Sequence, residues 1–350
     1  MDNSSLRGDI QIRNLYKIFG RRVRDHIAAV QAGMSKAELR EKTGHILGLR
    51  NINLTIRGGR IQVIMGLSGS GKSTLIRHIN RLIDPTVGEI LIDGVDVIKM
   101  SQSELRDFRR REIAMVFQKF GLLPHRTVLD NVLFGLEISG MRRAAAEDRS
   151  HEWIERVGLK GFEACYPSQL SGGMQQRVGL ARALAMDAPV LLMDEAYSAL
   201  DPLIRTEMQG VLLDLQKTIR KTIIFITHDL DEALTLGDQI AILREGEIVQ
   251  QGTREEIVMK PADDYVERFV RDVNRGRVIT VDMIMSGLQR GIEDDAIEVE
   301  SGTIVNEAIS KLSKQADKNA CAVVAPDGRP LGFVGMRQLL EAVAVPEARA

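Results

Sequence analysis

The chain has 350 residues, 44% of them apolar, which is long enough for two or three domains with a sizeable core. Its 47 Lys and Arg against 48 Asp and Glu leave a net charge of −1, so no whole-protein field draws it to nucleic acid or acidic lipid. An aromatic content of 4% also argues against stacking platforms for single strands. No apolar run approaches the ~20 residues that span a bilayer, and the first ten residues, with Asp2, Arg7 and Asp9, lack the apolar segment of a secretory signal. Cys165 and Cys321 are isolated, which suits small buried hydrophobes in a reducing compartment better than a disulfide or a zinc site.

Residues 10–19 and 49–56 read as strands. Between them residues 26–44 read as helical, with Ser35 and Glu38 in capping-box positions and breaks at Gly33 and Gly44. This insertion is either a surface elaboration or a docking element. An apolar run at 61–65 then leads into Gly66, Leu67, Ser68, Gly69, Ser70, Gly71, Lys72 and Ser73, followed by a helix over 74–82. That is the pattern G-x-x-x-x-G-K-S/T between a strand and a helix: the glycines turn backbone N–H groups toward phosphate oxygens, Lys72 reaches the terminal phosphates and Ser73 ligates Mg²⁺. Taken alone, the string is also compatible with a glycine-rich turn. Strands follow at 89–92 and 114–117, the second delivering Gln118, with a helix capped by Ser101 and Glu104 between them. Helices at 127–138 and 144–157 suggest a helical subdomain. Alternation of strand and helix resumes over 190–243, as expected for a largely parallel sheet covered by helices.

Residues 190–193 form a buried strand ending in Asp194 and Glu195, where an open α/β sheet places its chemistry. Asp194 would hold the Mg²⁺ that Ser73 also touches, and Glu195 would polarise a water aimed at a γ-phosphate. Leu170, Ser171, Gly172, Gly173, Met174, Gln175, Gln176 and Arg177 are the most specific string in the chain. Ser171 and the two glycines open a helix and offer a second set of amides to an anion.

With these motifs in this order, residues 10–247 resemble the nucleotide-binding subunit of an ABC transporter. The resemblance implies an α/β P-loop NTPase core of the ABC ATPase type with a helical subdomain at about 119–186, an ATPase domain over 1–272 and a smaller domain over 273–350. It implies that ATP and Mg²⁺ are cofactors, that Gly66 to Ser73 and Thr74 bind ATP, and that Glu195 is the catalytic base, with Lys72, Gln118 and His228 also catalytic. Gln118 matches the Q-loop and joins Ser73 and Asp194 as a metal ligand; Ser198, Ala199, Leu200 and Asp201 match the D-loop, and His228 the switch histidine. Phe19 matches the aromatic that stacks on adenine, with Tyr16 the alternative. Ser171, Gly172, Gly173, Gln175 and Asp201 would meet ATP held by a second copy, in a head-to-tail homodimer.

The closer match is to uptake systems for quaternary amines such as glycine betaine, proline betaine and choline. It is carried by the insertion, by the wording of 63–86 and 118–140, and by the tail. It implies separate permease subunits, a coupling helix received by Phe120, Leu122, Leu123, Pro124 and His125, a periplasmic or lipid-anchored binding protein, no nucleic acid partner, and a peripheral position on the cytoplasmic face of the bacterial inner membrane. An importer of another small polar solute such as an amino acid, a soluble ABC ATPase not coupled to transport, and a nucleotide-binding regulatory module are the alternatives. The tail, with a helix at 303–314, strands at 320–324 and 331–334 and a helix at 336–342, resembles a single CBS motif, a small α+β domain expected to need a partner for its sheet. Over 280–345 it has six Lys or Arg against ten Asp or Glu, a poor match for attraction to anionic lipid.

Overall fold

The computed structural model describes residues 7–118, 121–198, 200–271, 273–287, 296–315 and 318–344. Phe120, Ala199, Arg290 and the acidic run Glu293 to Asp295 lie outside them. Packing divides the chain into two compact units, Met1–Gln251 and Gly252–Ala350. The division falls some twenty residues before the expected boundary at 272/273, so the helices Arg254–Met259 and Asp264–Val270 group with the C-terminal unit.

In the first unit the strands are β1 (Ile10–Phe19), β2 (Ile46–Ile56), β3 (Ile61–Met65), β4 (Val87–Ile92), β5 (Val95–Asp96), β6 (Ile113–Val116), β7 (Val190–Asp194), β8 (Thr222–Thr227), β9 (Gln239–Arg244) and β10 (Glu247–Gly252). Every residue of β3, β7 and β8 is buried, the near-continuous apolar character of strands covered on both faces. They are neighbours in a six-stranded sheet ordered β10-β9-β3-β8-β7-β6, and β3, β6, β7, β8 and β9 run parallel. The register aligns their ends: Ile64 and Asp194 both sit opposite Ile226, and Val116 opposite Met193. The loops after β3, β8, β7 and β6 therefore leave from one edge, side by side. A second, antiparallel sheet, β2-β1-β4-β5, packs its apolar face (Ile10, Ile12, Leu54, Ile56, Ile90, Ile92) into the same core as Ile64, Leu75, Ile79, Leu192 and Ile224.

The insertion folds as short helices, Val23–His26, Ile27–Gln31 and Lys36–Thr43. Val30 and Leu39 are fully buried in a separate cluster with Tyr16, Ile18 and Leu47, so the segment is anchored to the antiparallel sheet. The helical subdomain comprises Val128–Ile138, Arg143–Arg156 and Gly172–Ala185.

In the second unit β11 (Ala296–Glu300) and β12 (Ala320–Val324) are parallel, joined through the helix Val305–Leu312, and β13 (Pro330–Gly335) is antiparallel to β12. Contrary to the expectation that a lone copy could not bury its sheet, one face does so: Ile297, Val299, Cys321, Val323 and Val334 pack against Val305, Ala308, Leu312 and Leu339. The other face carries Glu298 and Glu300, both exposed. Cys321 is buried as expected, whereas Cys165 is only half-buried.

Candidate nucleotide site

The loop after β3 is held in shape by its glycines and by its own lysine. A Cβ at Gly66 (φ 152°) would lie 2.2 Å from the Leu243 carbonyl, and one at Gly71 (φ 109°) 2.9 Å from the Gly48 carbonyl, so only glycine fits either place. Gly246 N–H donates to the Ser70 carbonyl at 2.8 Å, buttressing the loop from the β9–β10 turn. Lys72, which begins the helix Lys72–Ile79 and is 4% exposed, donates through Nζ to the Gly66 and Leu67 carbonyls at 2.8 and 3.1 Å. Burial lowers its pKa, opposed by the nearby Glu195 and Asp194 carboxylates. The Ser70 hydroxyl is buried and has no hydrogen-bond partner among the described residues.

Ser73 Oγ donates to Asp194 Oδ1 at 2.8 Å, and Arg77 Nη2 lies 3.5 Å from Asp194 Oδ2. A hydroxyl and a carboxylate this close are hard oxygen donors of the kind Mg²⁺ takes, and they fit that ion. Gln118 stands two positions beyond β6 with its Nε2 3.2 Å from Glu195 Oε2 and 3.4 Å from Ser198 Oγ. Glu195 adopts a left-handed backbone (φ 47°), a conformation that costs a non-glycine residue about 1 kcal/mol. Its N–H donates to the Ile226 carbonyl, and its own carbonyl accepts from Ser198 Oγ at 2.9 Å. Its Oε1 is 3.8 Å from Lys72 Nζ and 4.0 Å from His228 Nδ1.

Lys72, Ser73, Gln118 and Glu195 border one cleft of about 450 Å³, lined also by Phe19, Lys36, Ile46, Leu47, Gly48, Ser68, Gly69, Gly71 and Thr74; Asp194 and His228 are not in its lining and stand behind it, in contact with Ser73 and Glu195. Phe19 lines it, while Tyr16 is buried against the insertion. The structure does not bring the second anion site there. Ser171 caps the helix Gly172–Ala185 by accepting from Met174 N–H, Gln175 Nε2 donates to the Pro167 and Leu170 carbonyls, and Asp201 caps the helix Pro202–Ile219. None of these residues, nor Gly172 or Gly173, borders the cleft of its own chain.

Three supports were not legible in the sequence. Asn131, fully buried, donates to the Leu123, Arg126 and Thr127 carbonyls and accepts from Leu123 N–H. It thereby shapes the loop that presents Pro124 and His125 to solvent. Arg182, on the helix that Ser171 caps, donates to the Gly121 carbonyl at 2.7 Å and so ties that helix to the segment after Gln118. Arg205 bridges the Leu200 carbonyl to Asp229 Oδ2 (2.9 Å), beside His228, and lies 3.5 Å from the buried Glu232.

The ABC transporter family matches residues 49–198, which contain the phosphate loop, Gln118, the Ser171 string and the Asp194-Glu195 pair. The chain is 52% identical over 283 residues, 81% of its length and 71% of the relative's, to the ATP-binding protein of the glycine betaine/proline betaine transport system of Escherichia coli K12. The chain belongs to the ATP-binding subunits of ABC transporters. It is also 43% identical over 332 residues, 95% of its length and 96% of the relative's, to the ATP-binding protein of a trimethylamine N-oxide transport system of Ruegeria pomeroyi. Among solved structures it is similar to a dimeric bacterial ABC transporter cassette, with TM-score 0.60 and 33% identity over 70% of this chain and 98% of that one. The same cassette is known in a dimeric post-hydrolysis state with ADP and Pi, at TM-score 0.59. As an ABC ATPase, the chain binds and hydrolyses ATP, with Mg²⁺ as the associated ion.

Proposed function

We propose that this subunit energises uptake of a quaternary amine compatible solute, such as glycine betaine, proline betaine or choline, through a separate membrane permease. The observation that carries this reading is the 52% identity to a glycine betaine/proline betaine transport ATPase, which extends over 81% of the chain. Two copies act head to tail: the cleft of one holds ATP, and Ser171, Gly172 and Gly173 of the other cover it. The absence of those residues from the cleft of their own chain supports this arrangement, as does the dimeric cassette to which the chain is similar.

In this reading Ser73 and Asp194 would hold Mg²⁺, with Gln118 as a further ligand, and the ion would supply positive charge to the phosphates. Glu195 accepts the proton of the attacking water, His228 orients the γ-phosphate, and Gln118 reports occupancy to the loop after it. That loop, organised by Asn131, presents Pro124 and His125 to the permease. Among the described residues no helix is long and apolar enough to cross a membrane, in keeping with a subunit held at the cytoplasmic face by its permease and supplied by a periplasmic or lipid-anchored binding protein. The C-terminal unit is a CBS-like regulatory domain. Its Lys311, Arg329 and Arg337 are each within 2.9 Å of a carboxylate, which leaves them poorly placed to hold anionic lipid.

A second reading of the solute, trimethylamine N-oxide, is favoured by one observation: the R. pomeroyi relative is matched over almost its whole length, C-terminal unit included. Uptake into proteoliposomes holding the subunit with its permease and binding protein separates these readings. ATP-dependent accumulation of labelled glycine betaine or choline is expected. Accumulation of labelled trimethylamine N-oxide but of neither glycine betaine nor choline would favour the second reading, and accumulation of amino acids alone would overturn both.

A further inference from the structure

Lys36 borders the nucleotide cleft, yet it belongs neither to the phosphate loop nor to a strand of either sheet. It is carried there by the insertion, and the insertion is built to hold it. Both ends of the segment are pinned by His45, whose Nε2 lies 2.7 Å from the Arg21 carbonyl and whose Nδ1 lies 2.9 Å from Thr43 Oγ1, while its ring packs on His26 at 4.4 Å. Val30 and Leu39 anchor its middle in the cluster with Tyr16, Ile18 and Leu47. The Ser35–Glu38 capping box then fixes the start of the helix Lys36–Thr43, and with it the stem of Lys36 at the first helical position.

The charges around Lys36 are otherwise engaged. Glu38 is taken by the Ser35 N–H and by Lys42 at 3.8 Å, and among the described residues no carboxylate lies within ion-pair distance of Lys36. A half-buried lysine with no carboxylate partner among the described residues, bordering a cleft whose loop is made for phosphate, gains most when a polyanion enters.

We propose that Lys36 is a further nucleotide-binding residue, its ammonium taking a phosphate oxygen of the bound adenine nucleotide, and that the insertion serves to deliver it. The proposal rests on the cleft being the nucleotide site. A lysine at a solvated rim contributes a modest, salt-screened share of affinity and none of the chemistry.

The test is Lys36→Ala in the full chain, read by competition binding of ATP, ADP, AMP and adenosine and by steady-state kinetics. KM and Kd for ATP should rise about threefold to sixfold, the effect of losing one partly exposed ion pair with phosphate. kcat should stay within about twofold, since the lost contact is made equally in ground and transition states. Lys36→Arg should restore affinity, high salt should close the gap, and Lys42→Ala on the same helix should change nothing. Adenosine binding should be indifferent to the substitution. Unchanged ATP affinity in Lys36→Ala would overturn the proposal, and so would an equal loss for adenosine, which would place the ammonium on the nucleoside. Lys72→Ala separates the two levels: if it leaves ATP affinity intact, the cleft reading itself fails, whereas if it weakens ATP and Lys36→Ala does not, only the role of Lys36 fails.

Discussion

Gln118 Nε2 and Glu195 Oε2 are 3.2 Å apart, so a residue two positions beyond β6 and the residue that follows β7 share one hydrogen bond beside the cleft that both line. The amide holds the carboxylate on a backbone that is itself in a left-handed turn. Replacing it leaves Glu195 chemically intact but less well aimed. Gln118→Ala should therefore lower kcat about tenfold, a fraction of what a positioned base supplies, with a smaller change in KM. Steady-state ATP hydrolysis checks this, and an unchanged kcat would show that the bond does not orient the base.

Asn131 makes four hydrogen bonds to a loop that has no regular structure of its own. Asn131→Ala takes their side-chain partner from the Arg126 carbonyl and the Leu123 N–H, while the Leu123 and Thr127 carbonyls keep the backbone N–H groups of Arg126 and Asn131. The expected cost is about 2–4 kcal/mol, because each unsatisfied group adds its desolvation penalty. Urea unfolding measures it, and a loss below about 0.5 kcal/mol would mean that water replaces the amide.

His78, on the helix that Lys72 opens, is fully buried, with Nδ1 2.6 Å from the Thr74 carbonyl. Burial pushes its pKa down to about 4, against that carbonyl, which favours the proton. The unfolded chain binds this proton near pH 6.5 and the folded chain only near 4, so the contribution is intact above pH 6.5 and is lost as the pH falls from 6.5 to 4. That window should take about 3 kcal/mol from stability. His78→Gln should flatten this part of the stability profile, and a slope unaltered by the substitution would assign the acid sensitivity elsewhere.

The parts of this molecule that were legible in its sequence are those where local rules and tertiary structure agree. The β3–loop–helix unit carries its own glycine pattern, and the capping boxes at Ser35/Glu38 and Ser101/Glu104 form as their spacing predicts. Boundaries slip where the terminal residue is exposed: β2 begins at Ile46, which is 52% exposed, and not at Leu49. β11 escaped placement because its five residues alternate apolar with acidic over too short a run to stand out. The supports of the site escaped for a different reason. Arg182, Arg205 and Lys36 act through side chains that reach segments distant in sequence, and Asn131 through bonds to an irregular loop, neither of which periodicity records. Lys36 in particular reads as an ordinary helix-start lysine until the burial of Val30 and Leu39 fixes where its helix lies.

The proposed ATPase cycle turns on one arrangement: a cleft that binds ATP in one chain and is closed by Ser171, Gly172 and Gly173 of another. Glu195→Gln keeps the shape but removes the proposed base, so ATP should persist between two copies. Light scattering of this variant with Mg²⁺, before and after ATP, is the most direct measurement. The mass should double with ATP and revert when ATP is removed, while hydrolysis is lost. A variant that still hydrolyses ATP at the parent rate, or that keeps the same mass with saturating ATP, would contradict it.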